Sequence, residues 1–571
     1  MIEGLTGMLH GVMPSLVLLF GAVGIAAARG RLRDAFVLGG PLLALLAVLA
    51  VPDGVVLSGE FLSQHVEPLE GSAVRRLFGI IFSLMTFAGG LYALRQASAT
   101  ELAAANAYAA GALGVTFSGD LLSLFVWWEV MAIASSLVVW CGGRERSRAA
   151  GFRYAVMHIA GGLILMVGII GVISVSGDTD VRVLTGQADT LGMWVWFVLA
   201  GVLVNTAAPP VSAWLADAYP EASPTGTVFL SAFTTKSAVL TLILLFPGEP
   251  LLIGVGLWMV FYGILYALLE NDARRILAYS VVNQVGFMVC AVGIGTTVAL
   301  NGASAHAFAH IMYKALLFMS AGVVLHRTGL SRCTDLGGLF RTMPVTTICG
   351  IIGALAISSF PLTSGYTTKT LISVAADESG LVLVYFLLAA ASAGVFLHAG
   401  IKFPWFVFFQ KDSGLRPKDA PWNMALAMVL LAAGCIALGV FHQPFYALLP
   451  YAVDYHPYAP AKVLYYVQLL LFSGLAFFVL LPLMKRTRTI SLDWDWFWRG
   501  PGVRLGRWLT RAVESLESGV AGAGRSLTSW SAARTAALLG PGGRFHRPLP
   551  IGGTALWIAV LLTAFVVINL L

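Results

Sequence analysis

An all-α polytopic membrane protein with about 16 transmembrane helices is the fold class this sequence predicts, on three observations. Of its 571 residues 58% are hydrophobic and only 11% charged, too little charge to cover a water-exposed surface of that size. Apolar runs of about 20 residues, the length that spans a bilayer's hydrocarbon core, follow one another with no linker until Leu483. Basic residues gather in alternate loops, as orientation in a membrane requires.

The runs fall near 11–28, 36–52, 74–95, 101–117, 121–141, 150–176, 191–215, 224–247, 251–270, 275–297, 303–326, 344–378, 383–409, 423–446, 461–483 and 553–571. The first lacks a basic leader and a cleavage site, so it reads as a retained span rather than a signal peptide. The seventh contains Pro209-Pro210, and the twelfth, too long for one straight span, contains Phe360-Pro361 and Ser364-Gly365. Both are expected to be broken helices, whose freed backbone groups need partners from protein or cavity water.

Loop charge tests the register independently. Arg29, Arg31 and Arg33 follow the first span, Arg144, Arg146 and Arg148 the fifth, and Arg274 and Arg275 the ninth. Arg327, Arg332 and Arg341 follow the eleventh, Lys411, Arg416 and Lys418 the thirteenth, and Lys485, Arg486 and Arg488 the fifteenth. All of these fall on one side. The opposite loops carry Asp53, Glu60, Glu67, Glu70, Asp178, Asp180, Asp377 and Glu378 against Arg75, Arg76, Arg182 and Lys462. The basic side is therefore expected to be cytoplasmic and both termini to lie on the non-cytoplasmic side of a bacterial or archaeal inner membrane. The pI of about 9.2 needs no nucleic acid, because topology already accounts for the basic residues.

Between the last two spans, 484–552 is polar, with Leu505, Trp508, Leu509, Ala512, Val513, Leu516 and Val520 at helical spacing and Arg504, Arg507, Arg511, Glu514 and Glu517 off that stripe. This predicts an amphipathic lateral helix of about 35 residues, roughly 50 Å long. It lies either in the lipid headgroups or against a neighbouring membrane protein of the same assembly. The five cysteines, Cys141, Cys290, Cys333, Cys349 and Cys435, form no CxxC pair, so neither a metal centre nor a disulfide framework is expected. With no Gly-rich nucleotide motif after a strand, no cofactor or redox centre is expected in this chain either.

Four of the eight lysines, Lys236, Lys314, Lys369 and Lys402, fall inside spans, together with one acid, Glu129. Each such residue costs about 3 kcal/mol at a helix centre, so five of them point to function. Salt bridging is the competing reading for any one residue, but four lysines cannot all pair with one glutamate. Residue type sharpens the point: loop cations are mostly Arg, whereas the buried ones are Lys, which unlike a guanidinium can release its proton when desolvated. His306 and His310 precede Lys314 on one helix, and His398 precedes Lys402 by one turn. A lone intramembrane histidine is more often a satisfied core residue; beside a buried lysine a proton-relay role becomes equally good. His158 is a weaker candidate.

At this point the sequence resembles a family. The motifs FVWWEVMAIASS around Glu129, PPVSAWLADAYPEASPTGTVFLSAFTTKSAV around Lys236 and ENDARRILAYSVVNQVGF are followed by HAFAHIMYKALLFMSAG around Lys314 and FPLTSGYTTKTLI around Lys369. From about residue 70 to 410 they are similar in order and spacing to the antiporter-like subunits of Mrp-type sodium/proton antiporters, proton-pumping NADH dehydrogenase and membrane-bound hydrogenases. The resemblance implies two inverted five-helix repeats, 101–247 and 251–409, after N-terminal spans in 1–100. Spans in 423–483, the lateral segment 484–552 and a final anchor at 553–571 complete the chain. It implies roles as well: Glu129 as the glutamate gate, Lys236 as the eighth-span lysine, Lys314 as the central lysine and Lys369 as the exit residue. One position departs, since Asn205 stands where the family's seventh-span lysine pairs with the glutamate. Either Lys236 takes over that pairing, or this half of the path runs differently.

The function so implied is a proton-translocating subunit of a multisubunit cation/proton antiporter, with other membrane subunits as partners and H+, or H+ and Na+, as cargo. Short loops and the TGTVFLSAFTTK stretch are most similar to the D-type subunits of the Mrp antiporters. The lateral helix and final span are more similar to the distal subunit of the NADH dehydrogenase arm, which keeps a redox-driven pump as the alternative. A scaffold without transport is a third reading, discouraged by the unpaired lysines.

Overall fold

The computed structural model describes residues 11–185, 188–482, 493–543 and 551–570. Lys485, Arg486 and Arg488, expected in a cytoplasmic loop, lie outside the described residues. The chain forms two units, Met1–Trp494 and Asp495–Leu571.

The first unit begins with α1 (Pro14–Ala27), α2 (Gly30–Ala50), a hairpin of β1 (Gly54–Phe61) and β2 (Gln64–Gly71), α3 (Ala73–Ala93), α4 (Ala99–Phe117), α5 (Leu121–Trp140) and α6 (Glu145–Ser176). The seventh span is split into α7 (Met193–Thr206) and α8 (Ala213–Ala218), and the eighth into α9 (Gly226–Leu230) and α10 (Thr234–Leu245). Then come α11 (Leu251–Leu269), α12 (Ala273–Ile294), α13 (Thr297–Thr328), the split pair α14 (Pro344–Ile357) and α15 (Ser364–Glu378), α16 (Val382–Val395), α17 (Trp422–Val440) and α18 (Pro460–Val479). Short polar side chains set the starts. Ser98, Asp120, Asp272 and Thr296 each accept from an N–H of the first turn. Gly177, Gly295 and Gly329 end α6, α12 and α13 in the left-handed conformation.

Among the described residues, 11 helices are long and apolar enough to cross a membrane by length and composition, and shorter apolar helices such as α1, α7 and α14 accompany them. The expected number of 16 is not reached by such helices: breaks shorten the seventh and twelfth spans to Met193–Thr206 and Pro344–Ile357, and the first is only 14 residues long. Both expected breaks are present. Ala207 adopts φ 61° after α7, and Ser359 and Leu362 adopt φ 59° and 69° after α14. Left-handed backbone at non-glycine residues costs of order 1–3 kcal/mol each, so packing must hold these turns in place. Two further irregularities went unforeseen. Ser231–Phe233 interrupts the eighth span, and after α16 the chain winds as wider π-helical turns at Phe396–Lys402 and Trp405–Phe409.

The all-α expectation also missed the hairpin, whose antiparallel strands turn at Leu62 and Ser63, both at positive φ. Its backbone is tied to neighbouring helix ends: Glu67 N–H donates to Asp120 Oδ2 at 2.7 Å and Gly119 N–H to Glu67 O at 2.8 Å. Here Arg75, expected in an open loop, is buried, paired with Glu70 at 2.6 Å and donating to Thr116 O and Ser118 O at the end of α4. Arg274 is also buried rather than exposed, and donates to the carbonyls of Tyr219, Pro220, Ala222 and Ser223 beyond α8. The core of the unit lies along α10, α12 and α13, which are buried on nearly every face. Close approach of α11 and α12 depends on small residues, since a Cβ at Gly256 would come within 2.4 Å of Cys290 N.

In the second unit, α19 (Pro501–Leu539) runs for 39 residues, roughly 58 Å, and α20 (Ile551–Leu570) is apolar. Leu505, Trp508, Leu509, Val513 and Leu516 on α19 are exposed.

Candidate functional site: buried lysines and histidines

All four lysines singled out in the sequence are buried, at 0% exposure for Lys236 and Lys314, 1% for Lys369 and 2% for Lys402. Among the described residues no carboxylate side chain forms an ion pair with any of them. Each donates instead to backbone oxygen, and three do so where a helix is broken or ends. Lys236 Nζ donates to Ser231 O at 2.6 Å, in the interruption between α9 and α10, and to Thr235 Oγ1 at 3.1 Å. Lys369 Nζ donates to Ile357 O at 2.9 Å, the last residue of α14. Lys402 Nζ meets Ala267 O, Leu268 O and Glu270 O at 3.0, 2.5 and 2.6 Å, at the end of α11. Carbonyls at a helix C-terminus lack intrahelical donors and carry the negative end of the helix dipole. This accounts physically for a buried ammonium without an acid. Lys314 is held more weakly, by Leu277 O at 3.3 Å. Lys369 also lies over the Phe287 ring, 5.0 Å from its centroid.

Histidines join these lysines. His310 is within Coulombic reach of Lys236, Lys314 and Lys369, and both of its ring nitrogens are buried without a hydrogen-bond partner. His306 is fixed by Thr368 at 3.3 Å, Gln284 at 3.2 Å and Tyr313 at 3.3 Å. His398 Nδ1 donates to Gly394 O at 2.9 Å, and the ring lies within reach of Lys314, Lys369 and Lys402. Lys236, His310, Lys314, Lys369, His398 and Lys402 therefore form an electrostatically continuous series. Beyond it, at the end of α11, burial pushes the Glu270 carboxyl above the usual range although Arg275 sits 3.1 Å away.

Glu129 and Asn205 stand apart from that series. The Glu129 carboxylate lies against Gly162 of α6, where an added Cβ would come within 2.0 Å of Oε1. Oε1 itself is buried without a partner. Lys236 Nζ donates to Ser231 O and Thr235 Oγ1 rather than to this carboxylate. Asn205 Oδ1 accepts from His158 Nδ1 at 2.7 Å, and the His158 ring centroid lies 4.1 Å from that of Tyr154, tilted, and 4.6 Å from that of Trp214, edge to face. Sequence reasoning ranked His158 as a weaker candidate than the histidines beside lysines. The signal was Asn205, whose amide needs a buried polar partner. Asp493 was missed too: it lies beyond the last span of the unit, yet it is buried and accepts from Tyr262 and Tyr279.

Residues 118–396 match the family described as NADH:quinone oxidoreductase/Mrp antiporter, TM. The matched segment, just under half the length of the chain, holds Glu129, His158, Asn205, Lys236, His306, His310, Lys314 and Lys369. His398 and Lys402 lie immediately after it. The chain is 29% identical over 355 residues to a probable K+/H+ antiporter subunit of Rhizobium meliloti, a match covering 58% of this chain and 36% of that protein. It is 29% identical over 359 residues to the D-type Na+/H+ antiporter subunit of Alkalihalophilus pseudofirmus, covering 59% of this chain and 72% of the relative. With an NADH-quinone oxidoreductase subunit of Desulforudis audaxviator, identity is 28% over 365 residues, covering 58% and 72%. In fold, the chain resembles one in the Mrp complex of Dietzia sp. DQ12-45-1b, with a TM-score of 0.65 at 21% identity over 80% of this chain and 97% of that one. A chain of the archaeal membrane-bound sulfane sulfur reductase gives a TM-score of 0.72 at 22% identity, covering 98% of this chain and 100% of the other.

Proposed function

We propose that this chain is the proton-translocating membrane subunit of a multisubunit cation/proton antiporter. The observation that carries the reading is the buried series of lysines held by backbone carbonyls rather than carboxylates. A lysine paired with an acid would be locked in its charged form, whereas one resting on neutral carbonyls can exist with or without its proton. In this reading Lys236, Lys314, Lys369 and Lys402 carry protons through the interior, His306, His310 and His398 bridge or orient them, and Glu129 with Asn205 serves the first half. The half-channels correspond to 101–247 and 251–409. The Arg-rich loops face the cytoplasm, both termini face outward, and the partners are other membrane subunits. Any redox chemistry that drives transport belongs to those partners.

A redox-driven proton pump is the second reading. It is favoured by the fold likeness to the sulfane sulfur reductase chain, which extends over 98% of this chain. The two readings differ in driving force. The complex isolated with its native neighbours should be reconstituted into liposomes with a pH-sensitive dye inside. An antiporter acidifies or alkalinises the lumen on addition of NaCl or KCl alone, whereas a redox pump responds only to an electron donor and acceptor. Proton movement in both cases should be lost in Lys314→Ala; undiminished movement in that variant would defeat the relay reading.

A further inference from the structure

We infer that His158, held by Asn205, is the titratable partner of Glu129 in the first half of the translocation path. This rests on the proposed function and names a residue that reading leaves without a role.

Among the described residues no basic side chain pairs with Glu129, and Lys236 is turned toward Ser231 O. The carboxylate lies on Gly162. His158 precedes Gly162 by four residues, so it occupies the same face of α6 about one turn, or 6 Å of rise, away. The Asn205 amide oxygen can only accept, so the proton on the neutral ring sits on Nδ1. The lone pair is then on Nε2, which is buried and has no hydrogen-bond partner. Two unpartnered polar atoms, one able to give a proton and one able to take it, are thus assigned to one face of α6, Glu129 Oε1 lying against it from α5 and His158 standing on it.

The other buried polar atoms without a partner on the residues touching the His158 ring are Tyr154 Oη and Asn205 Nδ2, and neither carries a charge. On α8, Trp214 uses its indole N–H on Val204 O at 3.0 Å and offers the ring only a wall. Asp217, also on α8, is held by both arms of Arg153 at 2.6 and 2.9 Å. From α7 the facing groups are Asn205 and the apolar Val204, which fills the space beside Gly161. Tyr154, one turn before His158, packs against its ring at a tilt, with centroids 4.1 Å apart.

The step balances simply. An O–H bond of protonated Glu129 breaks, the proton travels along the face left open by Gly162, and an N–H bond forms at His158 Nε2 while Nδ1–H stays on Asn205. Neutral carboxyl and neutral imidazole become carboxylate and imidazolium. Asn205 is a positioning residue that fixes which nitrogen receives.

The test uses the assembled complex in liposomes. His158→Gln keeps a donor for Asn205 but cannot hold a proton, and should lower transport at least tenfold with normal assembly. His158→Lys should recover part of the rate. Asn205→Asp places a carboxylate on Nδ1–H, favours the protonated ring and should move the transport profile to more alkaline pH. His158→Gln transporting within twofold of the unaltered complex, with the same pH profile, would overturn the assignment, as would a lysine variant no better than the glutamine one. If His158→Gln fails to assemble, Asn205→Asp decides, because an unshifted profile assigns His158 to packing. An unaltered complex that moves no protons would overturn the functional reading and this inference with it.

Discussion

Each buried lysine rests on backbone oxygen, and the number of carbonyls it meets separates the consequences of replacing it. Lys314 and Lys369 each donate to one carbonyl. Arginine there keeps a charge but will not release its proton. Lys314→Arg and Lys369→Arg should therefore lose at least tenfold in transport rate, about 1.4 kcal/mol in barrier, as should the alanine variants. A structural lysine would tolerate arginine far better than alanine, so near-normal rates in liposomes for both arginine variants would refute the assignment. Lys402 meets three carbonyls. Lys402→Ala strands them and should destabilise the complex by about 1–3 kcal/mol, visible as a lower melting temperature in detergent that Lys402→Arg largely restores. At this scale the lysines were legible because a charge in an apolar run stands out on cost alone. The pairing of His158 with Asn205 was not, because 47 residues separate them and neither is costly enough to signal by itself.

Helix breaks follow the same logic one level up. The break after α7 was readable from Pro209-Pro210 and the one after α14 from Phe360-Pro361, since proline withholds an N–H and obstructs the preceding turn. The interruption at Ser231–Phe233 carries no proline or glycine. Ser231 O takes the Lys236 ammonium from within the same segment, while Tyr108 Oη accepts from Thr234 N–H at 2.9 Å across 126 residues, support that is invisible in a linear pattern. The hairpin was hidden for a related reason: Leu62-Ser63 takes the place of the Asn-Gly or Asp-Gly that would announce a two-residue turn. Close helix contact gives a further prediction. On α11 a Cβ at Gly263 would come 2.6 Å from Asn283 N and 2.7 Å from Tyr279 O, whereas one at Gly254 would meet nothing within 4 Å. Gly263→Ala should cost about 1–3 kcal/mol through overpacking of α11 on α12. Gly254→Ala should be neutral or slightly stabilising. Equal melting temperatures for the two variants would contradict this account of the interface.

For the whole molecule, the order of spans was readable because apolar length and loop charge are independent records of the same topology. Cysteines placed at Arg146 and Arg416 should resist membrane-impermeant reagents in intact cells and react once the membrane is opened. Labelling in intact cells would reverse the orientation. What loop charge cannot supply is the purpose of α19, which at 39 residues is far longer than a link between two spans needs. Its apolar stripe, Leu505, Trp508, Leu509, Val513 and Leu516, is exposed, while Arg504, Arg507 and Arg511 lie off that stripe. A helix of this pattern gains stability by burying the stripe in lipid headgroups or against protein. The two resting places respond differently to a pair of charges. In the headgroup region, aspartates at Leu509 and Leu516 can turn toward water, and the chain's association with other subunits is unaffected. Against a neighbouring protein of the complex they are buried opposite an apolar surface with no counter-charge, a loss of several kcal/mol. Leu509→Asp/Leu516→Asp should accordingly release a partner from the complex on native gels while this chain stays inserted, and transport should fall with the loss of assembly. Unchanged co-migration of all subunits would place the stripe in the headgroups and leave partner contacts to the spans of the first unit.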